Sequence, residues 1–236
     1  MKRLFSLLIA LLIVFSLESL DNKHVFRTGD QSLFFMPTAY TMPKLDISLT
    51  SYNFSTFQLE VNITHRTQIG ISSNIPGSYH NLDGVYTLGI KSNFLRWKAF
   101  DDAIFATYSP TKNLRTIGNV ISYRESGFSG HTALMYLIED ENYALSYNYF
   151  GITFCKSFFA MFGIMKDLSE ISSFYVEFLT QQIFNRYEEM SYFINVGAKF
   201  RTNHFSLDLC LICPFENEKG IHGLKINPSM KVSSRF

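Results

Sequence analysis

The chain has 236 residues, 21 Lys and Arg against 20 Asp and Glu, and charged residues make up only 17% of it. Setting residues 1–20 aside removes Lys2, Arg3 and Glu18 and leaves 19 basic against 19 acidic, a neutral body with no electrostatic footprint for nucleic acid. Phe and Tyr together number 37 beside a single Trp, a weighting that favours strands over helices.

Residues 1–20 read as a signal peptide. Lys2 and Arg3 precede an apolar run over 4–17, which Glu18, Ser19 and Asp21 break. Fourteen residues of helix cover only ~21 Å, short of the ~30 Å hydrocarbon core, so a cleaved segment is expected rather than an anchor. Leu17-Glu18-Ser19 fits a small-x-small cleavage site poorly, and no cysteine lies nearby to mark a lipoprotein. The rest of the chain is about the length of one all-β domain.

Residues 21–43 read as an irregular lead-in, with Pro37 and Pro43 discouraging a central strand. The domain proper is expected over 44–236. Residues 56–64 alternate without a fault, Phe57, Leu59, Val61 and Ile63 against Gln58, Glu60, Asn62 and Thr64. His65-Arg66 turns the chain, and Ile69 and Ile71 resume the apolar side, so 56–72 reads as a β-hairpin. Residues 75–84 form a loop by their Pro-Gly and Asp-Gly pairs. Strands are expected over 85–94, 103–109, 115–124 and 131–138, with turns at 95–102 and 125–130 between them.

After the acidic turn 139–142, residues 143–155 and 157–165 read as two strands meeting near Lys156. Residues 172–180 alternate again, and 181–189 suit a short helix or a longer loop. The last three strands are the clearest. Residues 191–201 put Ile194, Val196 and Phe200 on one face and Asn195, Lys199 and Arg201 on the other. Residues 204–213 oppose Phe205, Leu207, Leu209 and Leu211 to Ser206 and Asp208, and 224–236 oppose Leu224, Ile226, Met230, Val232 and Phe236 to Lys225, Lys231 and Arg235.

Counting residues 45–51 gives thirteen strands, one too many for an antiparallel single-chain barrel of even number. The surplus falls at 53–55 or at Lys156, which makes twelve strands the expectation and ten the next. A closing strand that ends on an aromatic, in a chain that begins with an export signal, resembles those of bacterial outer-membrane β-barrels. The segment Met36-Pro-Thr-Ala-Tyr-Thr-Met-Pro-Lys44 and the turn from Thr64 to Gly70 resemble those of an uncharacterised barrel family, and Gly89-Ile-Lys91 and Gly197-Ala-Lys199 echo one hairpin unit. Two departures stand out: Pro228 sits inside the closing strand, and Ser234 replaces an aromatic often found there.

The resemblance implies an antiparallel transmembrane β-barrel in the bacterial outer membrane. Its partners would be outer-membrane lipid and the barrel-assembly machinery, for which Met230, Val232 and Phe236 form the signal. It places Glu60, Lys91, Glu177, Lys199, Arg201, Asp208, Lys225, Lys231 and Arg235 along the lumen, where they must pair or meet water. Tyr52, Phe54, Phe94, Trp97, Tyr149, Phe150 and Tyr192 would mark aromatic girdles near strand ends.

Three functions fit: a non-enzymatic small pore or structural barrel, a lipid-modifying barrel enzyme, and a secreted soluble barrel carrying an apolar ligand with its apolar face inward. The enzyme reading rests on His204, Ser206 and Asp208, whose His-x-Ser pair resembles that of a lipid A deacylase barrel without its supporting motif. Same-face strand neighbours stand ~6.6 Å apart along the strand, long for a base and its nucleophile. The histidines show no metal spacing, no nucleotide-binding loop occurs and no cofactor is expected. Cys155, Cys210 and Cys213 are odd in number, and Cys210-Leu-Ile-Cys213 lies in a strand pattern, so neither a disulfide framework nor a redox motif is expected.

Overall fold

Period-two alternation, β-branched residues and aromatics make strands throughout the chain. The computed structural model describes residues 26–54, 56–74, 86–110, 114–138, 147–149, 152–154, 158–181, 192–215 and 227–236. The strands are β1 (Ile47–Tyr52), β2 (Thr56–Asn62), β3 (Thr67–Asn74), β4 (Tyr86–Trp97), β5 (Phe100–Ser109), β6 (Leu114–Glu125) and β7 (Phe128–Ile138). They continue with β8 (Tyr147–Tyr149), β9 (Ile152–Phe154), β10 (Phe158–Asp167), β11 (Ser172–Gln181), β12 (Tyr192–Arg201), β13 (Phe205–Phe215) and β14 (Asn227–Arg235).

Twelve of these, β1–β7 and β10–β14, close an antiparallel barrel in chain order. β1 completes the ring against β14, with Ser48 opposite Arg235 and Tyr52 opposite Lys231. Among the described residues β8 and β9 pair only with each other, as a separate two-stranded sheet that falls between β7 and β10 in chain order. The surplus strand therefore falls near Lys156: β8 and β9, the described parts of 143–155, stay off the barrel, and Tyr136 pairs directly with Phe158. The division near 53–55 is real: Asn53 and Phe54, both at positive φ, follow the end of β1. Pro228 is also explained. Pairing between β1 and β14 stops near Met230, where Asn53 N–H donates to the Met230 carbonyl at 2.9 Å, so the proline falls past the paired edge.

The connections differ at the two ends. Those between β2 and β3, β4 and β5, β6 and β7, β10 and β11, and β12 and β13 span two to four residues. Ser126-Gly127, both at positive φ, is a primed two-residue turn of the kind that matches strand twist. At the opposite end four of the six connections run to ten residues or more. Phe236 lies at the short-turn end, paired with Ile47.

The apolar face points outward. Leu59, Ile71, Leu88, Leu209 and Leu211 are each more than 40% exposed, while Glu177, Asn195, Lys199, Ser206 and Asp208 are fully buried inside. A soluble carrier with its apolar residues around the axis is overturned by that direction. Tyr52 departs from the girdle expectation, since it packs edge-on against Phe34 inside the barrel, whereas Trp97 is 59% exposed. Cys210 is buried and Cys213 partly exposed, both free. The signal peptide, the 75–84 loop, most of 181–189, Cys155 and Lys225 lie outside the described residues.

The lead-in is not a linker. Residues 26–43 enter the lumen at the short-turn end, reverse, and leave at the same end. Ser32 and Pro37 bridge, Thr38 N–H donates to the Gln31 carbonyl at 3.0 Å, and Leu33 N–H donates to the Met36 carbonyl at 2.9 Å. The tip residues Leu33, Phe34 and Met36 form one apolar cluster with inward-facing Ala103, Val120, Met161, Tyr175 and Ile212. Gly163 on β10 makes room for the tip, since a Cβ there would collide with Leu33 and come within 3.0 Å of Met36 Sδ.

An outward apolar face of this kind fits a hydrocarbon surround. In lipid vesicles, Leu209→Arg is expected to destabilise the barrel by about 2–4 kcal/mol if that residue faces the bilayer midplane. Leu168→Arg, in an exposed short turn, should move stability by no more than about 0.5 kcal/mol. Urea unfolding of both variants checks the pair, and equal small effects would count against the lipid-facing assignment.

Candidate functional site

A buried irregular segment has peptide groups that no sheet ladder serves, and a lumen wall has charges that no water reaches. Here each serves the other. Lys199 Nζ donates to the carbonyls of Gly29 and Ser32, both at 2.7 Å. Lys231 Nζ donates to the Leu33 carbonyl and to Ser32 Oγ at 3.2 Å. Lys91 Nζ donates to the Tyr40 carbonyl at 2.8 Å and, at longer range, to those of Gln31 and Thr38. Glu177 accepts from the backbone N–H groups of Phe35 and Met36 at 3.0 Å, and Asn195 braces it at 2.8 Å.

Period two explains how these groups converge. Lys199 and Arg201 alternate inward on β12, Asp208 faces Lys199 in the register of β13, and Lys231 faces Asp208 from β14. Asp208 thus lies between two ammonium groups, 3.5 Å from Lys199 and 3.4 Å from Lys231. Arg201 reaches Asp30 at 2.5 Å and also pairs with Asp167. Arg124 joins Asp30 at 3.2 Å and lies over the Tyr40 ring at 4.7 Å. Arg235 meets Asp46 at 3.4 Å and the Phe26 carbonyl at 3.5 Å, near where the segment enters.

Of the lumen residues expected from sequence, eight lie among the described residues, and all of them contact the inserted segment or a neighbour that does. Glu60 is partly exposed, accepting from Gln58 Nε2 at 2.9 Å and Gln31 Nε2 at 3.3 Å. The sequence reading missed Asp30, Arg124, Asn62, Asn93 and Ser122. Asn93 Nδ2 donates to the Ala39 carbonyl at 2.9 Å, Ser122 Oγ accepts from Ala39 N–H at 2.8 Å, and Asn62 Nδ2 donates to the Met42 carbonyl. The four strand residues were legible as inward positions; Asp30 lies in a stretch with no periodicity.

His204, Ser206 and Asp208 are not brought together as a catalytic set. His204 is exposed in the turn before β13, its Nδ1 3.4 Å from the Arg235 carbonyl. Ser206 is fully buried against Gly29, whose added Cβ would lie 2.5 Å from Ser206 Oγ. Asp208 is held by lysines, not by an imidazole. The turn still includes His204, where the pattern of 204–213 placed a strand, and that leaves the imidazole exposed at the short-turn end.

Beside the segment, toward the long-connection end, a cavity of about 300 Å³ remains. Its walls include Thr50, Gln58, Glu60, Gln68, Ser72, Thr87 and Phe105, and Gln31, Ser32, Phe35 and Pro37 of the segment form part of it.

Burial alone would raise the carboxyl of Asp30, but the Arg124 and Arg201 guanidinium groups outweigh it and hold the pKa far below the usual carboxylate range. Burial pushes the Tyr40 phenol up, so its proton stays on. A depressed folded-state pKa stabilises the inserted state fully above the ordinary Asp value of about 3.9. That contribution is lost as the pH falls through and below this value toward the folded one. Hydrogen exchange over residues 26–43 should therefore be slower in the wild type than in Asp30→Asn at pH 7. The gap should narrow as the pH drops below about 4, and a constant gap would refute the assignment.

No family model matches the chain, and no curated protein matches it in sequence. Among solved structures it is similar to Pseudomonas aeruginosa OccK10 (OpdN), at 10% identity and a TM-score of 0.45 over 77% of this chain and 59% of that one. It is similar to an OccD1 (OprD) carrying two substitutions, at 12% identity and a TM-score of 0.44 over 77% and 59%. It is also similar to Pseudomonas aeruginosa OccK8 (OprE), at 11% identity and a TM-score of 0.40 over 93% and 64%. The chain thus spans less than two thirds of the length of each.

Proposed function

We propose that the chain is a non-enzymatic barrel of the bacterial outer membrane, a small pore held shut in this conformation by residues 26–43. The observation that carries the reading is the inserted hairpin, whose carbonyls take up the lumen ammonium groups. Twelve strands enclose more space than side chains alone fill. Here a plug fills much of that space.

The outward apolar face supports a lipid surround, and even strand number with unequal connections supports an outer-membrane topology. In such barrels short turns face the periplasm and long loops the outside, which puts Phe236 and the entry of the plug on the periplasmic side. Both ends of the plug lie at that end, so it can withdraw as one unit without unthreading from the barrel. Opening exchanges backbone carbonyls for water at Lys91, Lys199 and Lys231. Burial of the apolar tip residues Leu33, Phe34 and Met36, together with the pairing of Asp30 with Arg124 and Arg201, favours the closed state.

In planar bilayers the refolded mature chain should be closed for most of the record and open in brief steps. Asp30→Ala removes the plug carboxylate from Arg201 and Arg124 and should raise the open fraction about tenfold, the effect of a ~1.4 kcal/mol change in the equilibrium. No conductance from either protein would favour a purely structural barrel.

A further inference from the structure

The cavity beside the plug is a built site rather than a packing gap. Gln68 is only 2% exposed, yet neither its Oε1 nor its Nε2 has a hydrogen-bond partner, and the residue is part of the cavity wall. Gln31, 5% exposed, donates through Nε2 to Ser48 and Glu60 while its Oε1 is unmet. Buried amides left unmet are costly, and they ask for a guest that can both donate and accept.

The rest of the lining narrows the guest. Glu60 and Lys91 supply one charge of each sign, so no net field selects an ion. Phe105, Met135 and Met161 give the same cavity an apolar wall. A volume of about 300 Å³ is at the lower end for small-molecule sites. We propose that this cavity binds a small, neutral, hydroxyl-rich solute no larger than a disaccharide, with the Gln68 amide and Gln31 Oε1 as its hydrogen-bonding partners and one apolar face against β5, β7 and β10.

A free solute is meant, since a lipid headgroup would lie outside the wall whose inner face forms the site. The inference takes its access side from the proposed orientation of the barrel. Binding itself is read without reference to conductance. A barrel that binds but never conducts sinks the pore reading alone, and one that conducts without binding sinks this one alone.

Saturation-transfer NMR on the refolded mature chain, in a detergent without a sugar headgroup, tests the site with glucose and N-acetylglucosamine, and with glutamate and lysine as charged probes. The sugars should receive transfer and the amino acids should not. Gln68→Leu keeps the shape of the side chain and removes its polar atoms; it should weaken sugar binding about tenfold, as loss of one well-met polar group does. Gly89→Phe is the second variant. A Cβ at Gly89 meets nothing nearer than 3.8 Å, so a ring there fills the cavity and should abolish transfer. Heat-modifiable gel mobility shows that each variant is folded. Transfer to the charged probes instead, to none of the four, or unchanged transfer in a folded Gly89→Phe would each overturn the proposal.

Discussion

The structure depends on a reciprocal requirement inside the barrel. A closed ring of period-two strands with an apolar exterior has to turn its polar positions inward, and this sequence puts Lys91, Glu177, Lys199, Arg201, Asp208 and Lys231 there. Charges in an enclosed space need partners. The wall meets part of that need itself, with Asp208 between two lysines. The remainder is met by a backbone that has no sheet to join. Residues 26–43, kept out of the sheet by their prolines and by their position, bring carbonyls to the ammonium groups and N–H groups to Glu177.

The two halves of the plug are held by different physics. Near the short-turn end the contacts are ionic and directional: Asp30 with Arg201 and Arg124, and Thr28 Oγ1 donating to the Asn203 carbonyl at 2.7 Å. At the tip apolar packing is added, with Leu33, Phe34 and Met36 against Met161, Tyr175 and Ile212, beside the bonds that Lys231 and Glu177 make to its backbone. Apolar contact is not directional and tolerates small shifts, while ionic contact fixes register. The charged contacts along the hairpin therefore set where it sits, and the apolar tip fills what it reaches. At Gly163 and Gly29 wall and plug lie too close together for an added Cβ.

The outer surface was legible because one face of each strand must be apolar along its length, and the best strands carry no charge there. Strand number was nearly legible. Residues 143–155 contain enough Tyr, Phe and Ile to read as a strand, but adjacent pairing decides membership of a barrel, and Tyr136 pairs with Phe158. Propensity describes a segment and closure describes a ring, so no local pattern distinguishes an off-barrel hairpin from a thirteenth strand. The plug was illegible for a related reason. Its residues have no period, their partners lie far away in sequence, and Asp30 has no neighbour of its own type to mark it. The inward charges were legible as positions, but what they face was not. His204 shows the reverse error: alternation carried through a turn put it on the wall, whereas the strand begins at Phe205.

Plug position and cavity occupancy are tied by geometry. Gln31, Ser32, Phe35 and Pro37 belong to the plug and also line the cavity, so withdrawing the hairpin removes part of the site. A solute that binds only when the plug is in place favours that state by RT ln(1 + [L]/Kd), about 2.7 kcal/mol at a hundredfold excess over Kd. By linkage the reverse also holds, and anything that draws the plug out lowers the affinity of the cavity by the same factor. A guest on the outer side would thus act against opening. Release of the plug, driven from the other side, would free the guest into the lumen that the hairpin has just vacated. The same eighteen residues, 26–43, would then set both whether the lumen is blocked and whether the solute stays in it.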